Sequence, residues 1–188
     1  MGHFYTNYTV RCPDHNKVAV ALSGRAALIT VPKNNSVVVF DRDSDSQGIA
    51  AADGFAEELS RLLQCSVLAV SNHGDDVLSY VLYDSGRKVD EYCSAPDYFT
   101  SEDGPGDPKG GDARALCNAF GARDEAVVEG ILRRSGEGAG GYIFEVDRHL
   151  DLANALGIAN YGVGFTFDGI FKGTRPVELG RGDIIGPP

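Results

Sequence analysis

A chain of 188 residues with 43% hydrophobic and 23% charged side chains has the composition of an ordinary globular domain, and at this length roughly 70% of the unfolded surface is buried on folding. Seventeen Lys and Arg against 27 Asp and Glu leave a formal charge of -10, so nucleic acid and anionic membranes are disfavoured as partners. The longest apolar run, near Ala26 to Val31, falls far short of the roughly 20 residues that cross a bilayer.

Phe4 to Arg11 alternates and is rich in Tyr, Thr and Val, which predicts a strand, and Pro13-Asp14 opens a short helix through Leu22. Ala26 to Val31 and Val37 to Asp41 read as strands joined by the turn Pro32-Lys33-Asn34-Asn35. Ile49, Ala52, Ala56, Leu59, Leu62 and Leu63 recur at the helical period, with Ser44 or Ser46 available as a cap. Ser66 to Val70 and Val77 to Tyr83 are further strands, and Asp84-Ser85-Gly86 turns the chain into Arg87 to Tyr92. The succession predicts an α+β fold: a ferredoxin-like β-α-β-β-α-β antiparallel sheet with an added hairpin, two helices covering one face.

A loop dense in Pro, Gly and Asp follows, over residues 93–111. Beyond it Asp112 caps a helix that stops at Gly121, and Asp124 caps a second carrying Val127, Val128, Ile131 and Leu132. Residues 135–141 read as a glycine linker, which lacks the preceding strand that a dinucleotide G-x-G-x-x-G requires. A third helix is predicted over Tyr142 to Leu156 and a last strand over Tyr161 to Phe167, before a tail rich in Gly and Pro. The whole chain is expected to be a single domain: a core over 1–92, the loop, and a helical C-terminal half over 112–188.

Met1 to Val10 has neither a basic n-region nor an apolar h-region. The four cysteines, Cys12, Cys65, Cys93 and Cys117, include no C-x-x-C pair and read as reduced thiols in a cytoplasmic protein.

Two acidic groups carry the candidate chemistry. Val37-Val38-Val39-Phe40 ends in Asp41-Arg42-Asp43, two carboxylates at a strand end, a placement that presents both to a divalent cation. These residues resemble the first motif of the haloacid-dehalogenase phosphotransferases. That resemblance implies Asp41 as nucleophile and Asp43 as acid/base, with Mg²⁺ or another divalent metal and Gly74-Asp75-Asp76 as the distal acidic motif. The alternative is a solvated acidic turn capping the following helix. Separately, His73, Asp75 and Asp76 share a strand-end rim, which His149, one helical turn after Glu145, is expected to meet as a further metal ligand.

Cys93 lacks the arginine six residues on that a cysteine phosphatase needs, since Phe99 stands there. Tyr83, Tyr92, Asp97, Tyr98 and Phe99 form an expected binding surface, aromatic with acids at its rim, of a kind suited to a protein or a small ligand. The segments His73 to Tyr83, Asp90 to Phe99, Gly111 to Leu116 and Arg148 to Gly157 resemble an uncharacterised group of small bacterial proteins. That resemblance implies a single module with no particular reaction. No complete catalytic set emerges, so a binding module without a cofactor is the first expectation and a metal-dependent phosphotransferase the alternative.

Overall fold

A computed structural model of the chain describes residues 2–45, 49–100, 106–135 and 141–186. Among the described residues it is a mixed α+β structure of eight strands and six α-helices. In chain order these are β1 (Phe4–Val10), α1 (His15–Ala21), β2 (Ala27–Thr30), β3 (Val37–Asp41), α2 (Ile49–Leu63), β4 (Ser66–His73), β5 (Val77–Asp84) and β6 (Arg87–Cys93). Then follow β7 (Lys109–Gly110), α3 (Ala113–Phe120), α4 (Glu125–Arg133), α5 (Glu145–Leu156), α6 (Phe167–Phe171) and β8 (Ile184–Ile185). The strands form one antiparallel sheet in the order β7-β6-β5-β4-β1-β3-β2-β8.

Strand alternation sorts the core. Tyr8, Val10, Val37, Val39, Val67, Ala69, Val81 and Tyr83 point to one face, where α1 and the apolar stripe of α2 (Ala52, Phe55, Ala56, Leu59 and Leu63) close over them. The alternate residues Leu68, Val70, Leu78, Tyr80 and Leu82 face the other side, under Leu116 of α3, Val128, Ile131 and Leu132 of α4, and Leu152 and Leu156 of α5. On that second side Val38 and Phe40 meet Tyr161, Phe167, Ile170 and Leu179. The C-terminal half is therefore the second covering layer of the sheet. Burial on both faces is why β3 is uniformly apolar up to Asp41. Each such Val, Leu or Phe contributes about 1.5–3 kcal/mol.

Turn and cap chemistry places the elements as their residues dictate. Asn34 and Asn35 both adopt positive φ between β2 and β3, and Ser85 and Gly86 do so between β5 and β6, as a two-residue hairpin turn requires. Asp14, Asp112 and Asp124 each accept backbone N–H groups at the start of α1, α3 and α4.

Three expectations are corrected. The third C-terminal helix starts at Glu145 instead of Tyr142: Phe144 is extended, and the Glu145 N–H donates to the Asp75 carbonyl at 3.0 Å, so a tertiary bond sets the boundary. Residues 161–164 make turns instead of a strand and Phe167 already opens α6, because Gly164 takes positive φ and Thr166 caps that helix. The extra strand is β8, in the tail, paired with Ile29 and Thr30 of β2. Of the caps proposed for α2, Ser44 bonds Asp41 and Ser46 lies outside the described residues, as do positions 136–140 of the glycine linker and 101–105 of the long loop.

Candidate functional site

The first acidic group is a structural knot. Asp41 is fully buried; its Oδ1 accepts from Arg25 Nε at 2.5 Å and its Oδ2 from Arg25 Nη2 at 3.0 Å. The same Oδ2 accepts the Ser44 N–H at 3.0 Å and the Ser44 hydroxyl at 2.5 Å, while Tyr8 donates to Ser44 Oγ at 2.6 Å. The guanidinium of Arg25 lies 3.8 Å over the Phe55 ring. A fully buried carboxylate with both oxygens held in this way is closed to a substrate from solvent.

Asp43 is exposed, and Asp45 accepts the backbone N–H groups of Phe167 and Asp168, capping α6. Burial pushes the Asp45 carboxyl up from its ordinary value. By strand alternation Asp41 faces the α1 and α2 side, whereas the network around Asp75 reaches α5 on the other. The phosphotransferase set Asp41, Asp43 and Asp75 is thus not brought together.

The second group sits at the β4–β5 end of the sheet. His3 directs both its backbone N–H (3.0 Å) and its Nδ1 (2.7 Å) at Asp75 Oδ2. Asn72 donates to Asp75 Oδ1 at 3.2 Å and accepts the Asp75 N–H at 3.0 Å. Asn72 Nδ2 also reaches the Tyr5 hydroxyl at 3.5 Å, and that hydroxyl lies 2.9 Å from His149 Nδ1. Burial drives the Tyr5 phenol strongly upward and lowers His149 to about 4, so both stay neutral at pH 7.

Next to this network the rings of Phe4 and His73 meet edge to face at 4.8 Å, His73 and Phe99 at 4.9 Å, and Phe99 and Tyr98 at 4.9 Å. Tyr98 donates to Asp76 Oδ2 at 2.9 Å, and Lys109 Nζ lies 3.4 Å from Asp97 Oδ2. Phe4 is 55% and Phe99 66% exposed.

Of the expected binding surface, Asp97, Tyr98 and Phe99 are on this rim; Tyr83 and Tyr92 are not. Tyr83 is 5% exposed, under α2, and donates to Asp53. Tyr92 is 3% exposed on the opposite face and donates to the Leu132 carbonyl. Alternation along the strands separates them.

The expected metal ligands are each engaged separately: His73 between two phenyl rings, Asp75 with His3 and Asn72, Asp76 with Tyr98, and His149 with Tyr5. Among the described residues no group of three or more His, Cys, Asp or Glu side chains is placed to hold a metal ion. Glu145, one turn before His149, instead pairs with Arg148 Nε at 2.7 Å in the interior. Cys93 is half-buried at the end of β6.

His3 and Phe4, given no functional role by sequence, complete the rim. Their signal was weak: an aromatic residue at the start of a strand reads as core until its exposure is known. No family model, curated protein or solved structure matches the chain.

Proposed function

We propose that the chain is a binding module that recognises a basic segment of a protein partner on the rim of Phe4, His73, Asp76, Asp97, Tyr98 and Phe99. The exposed edge-to-face ladder with carboxylates at its margin carries this reading. Ring faces beside acids attract ammonium and guanidinium groups, at about 0.5–1 kcal/mol per exposed contact and about 2 when desolvated. The net charge of -10 accelerates encounter with a cationic partner. The hydrogen bonds that hold Asp75 fix the turn carrying His73 and Asp76, so little ordering entropy is lost on docking.

Phosphotransfer through Asp41 and Asp43 with Mg²⁺ would require Asp41 to surrender Arg25 and both Ser44 donors, and no observation favours it. For the fold we infer a ferredoxin-like core in β1 to β4. The neighbour order β4-β1-β3-β2 and the packing of α1 and α2 on one face support that reading. Four free cysteines support a reducing, cytoplasmic location.

The test is an NMR titration with a Lys- and Arg-rich peptide and, as control, a Glu-rich peptide of equal length. The basic peptide alone is expected to shift the Phe4 and Phe99 ring signals saturably, more weakly as salt rises. Phe99→Ala should weaken it about fivefold or more, the worth of one cation–π contact. Undiminished binding by Phe99→Ala, or shifts confined to other surfaces, rejects the reading.

A further inference from the structure

The opposite end of the sheet has the opposite character. Register places Val10 beside Val67 and Ser66 beside Asp84 there, whereas Phe4, His73 and Val77 align at the rim end. Between this end and α3 lies a groove of about 660 Å³ whose walls include Arg11, Arg87 and Arg114. Three arginines lining one groove stand out in a chain whose acids outnumber its bases 27 to 17.

The three arginines differ in how they are held. Arg11 is anchored through Nη1, which donates to the Asn118 carbonyl at 3.3 Å and, in a shorter contact, to the Ala119 carbonyl at the end of α3. Arg114 is mostly exposed and only loosely tied, its Nε 3.6 Å from Glu125. Arg87 is exposed, and no ion pair engages it among the described residues. A guanidinium presents five donors in a rigid fork that matches phosphate oxygens two at a time.

Two carboxylates share the groove and are otherwise occupied. Asp84 Oδ1 accepts the Ser66 hydroxyl at 3.0 Å, and Asp112 Oδ1 accepts the Ala115 N–H at 3.0 Å as the cap of α3. Among the lining residues the balance is three cations to two anions, against the sign of the whole chain, with Glu125 beside Arg114 just outside the lining. Cys65, also on the wall, adds no charge, because burial pushes its thiol up to about 11. Val89 and Ala119 supply apolar wall, and the volume lies within the range of about 300–1,000 Å³ typical of small-molecule sites.

We propose that this groove binds the phosphate group of a small phosphate ester, clamped by Arg87 and Arg114 with Arg11 as the fixed third donor. The carbon skeleton of the ester lies against Val89 and Ala119. The site is independent of the aromatic rim. A phosphate polymer is disfavoured by the net charge of -10.

The experiment follows the arginine Nε–Hε signals by NMR while inorganic phosphate, phenyl phosphate and, at matched ionic strength, acetate and chloride are added to the full chain. Phosphate is expected to shift the Arg87 and Arg114 signals saturably, phenyl phosphate to bind more tightly, and acetate and chloride to produce no saturable change. Arg87→Ala and Arg114→Ala should each weaken phosphate about fivefold or more, the loss of one charge-assisted pair. Both side chains are exposed, so the variants keep the fold, which circular dichroism verifies. Phe99→Ala should bind phosphate as the parent does, which separates this site from the rim. Absence of saturation, equal binding of acetate, or full affinity in the Arg87→Ala, Arg114→Ala double variant overturns the proposal.

Discussion

Tyr5 and His149 stand 144 positions apart in sequence, yet the phenol oxygen and the imidazole Nδ1 are 2.9 Å apart in the interior, with the rings stacked at 5.7 Å. The contact ties the first strand to α5 and so fastens the C-terminal layer to the sheet. Because Asn72 Nδ2 points at the same hydroxyl, the phenol proton is free to go to a neutral His149.

Acid should therefore loosen the protein through His149. Burial lowers its pKa from 6.5 to about 4, so the unfolded chain binds the proton first. The stability contributed by the neutral ring is whole above pH 6.5 and is lost as pH falls toward about 4, by up to about 3 kcal/mol. Urea unfolding between pH 8 and pH 4 measures this. His149→Gln, which keeps a hydrogen-bonding group toward Tyr5, should flatten the slope over that window; an unchanged slope would assign the acid sensitivity elsewhere.

The Asp41 knot predicts a stability phenotype. Asp41→Ala leaves the buried side of Arg25 and both Ser44 donors unpaired, a loss of about 3–5 kcal/mol. Asp41→Asn, which retains shape and one acceptor, should lose less. Mg²⁺ should leave the Tm of the parent and of Asp41→Asn unchanged. A Mg²⁺-dependent rise in Tm that Asp41→Asn abolishes would restore the phosphotransferase reading.

Strand and helix positions in the first half were legible because local signals agreed with the tertiary environment. Asn34-Asn35 and Ser85-Gly86 are turn residues on their own account, and Ala52, Ala56, Leu59 and Leu63 keep the helical period that the sheet demands. The second layer was not legible. Leu116, Leu132 and Leu152 announce helices but carry no mark of which sheet face they cover, and β8 is two residues whose pairing exists only through contact with β2. The site was legible only in part, for a related reason: acids and aromatics were grouped by nearness in sequence, which brings Asp97, Tyr98 and Phe99 to one rim but not Tyr83 and Tyr92. Alternation sends Tyr83 and Tyr92 to opposite faces, and the partners of Asp41 and Asp75, Arg25 and His3, are an arginine and a histidine that no motif singles out.

Gly110 should tolerate no side chain. Its φ is +73°, and an added Cβ would stand 2.1 Å from the Glu91 carbonyl oxygen, a backbone atom of β6. Gly110→Ala is expected to detach β7 and expose the Cys93 amide, which faces Lys109 in that ladder. Hydrogen exchange at Cys93 and Gly111 should accelerate in that variant while β1 and β4 amides stay protected; equal protection throughout would show that the edge adjusts.

Glu145 and Arg148 make the sharpest stability test, because both are buried and neither charge has an outlet to water. Arg148 also donates to the carbonyls of Ile131 and Arg134 at 2.6 Å, closing the end of α4, and lies 4.5 Å over the Tyr142 ring. Desolvation pushes the Glu145 carboxyl up even with Arg148 beside it. Removing the arginine in Arg148→Met strands that carboxylate and should cost about 3–5 kcal/mol at pH 7. The raised pKa of Glu145 rises further in that variant, so its folded form takes up the proton before its unfolded form does. The deficit relative to the parent should therefore shrink as pH falls from 7 toward 5. The double variant Arg148→Met, Glu145→Leu removes the stranded charge, and should recover part of the loss at pH 7 and show no such narrowing. A single variant whose deficit is independent of pH would mean that the α4 carbonyls, and not Glu145, are what Arg148 chiefly serves.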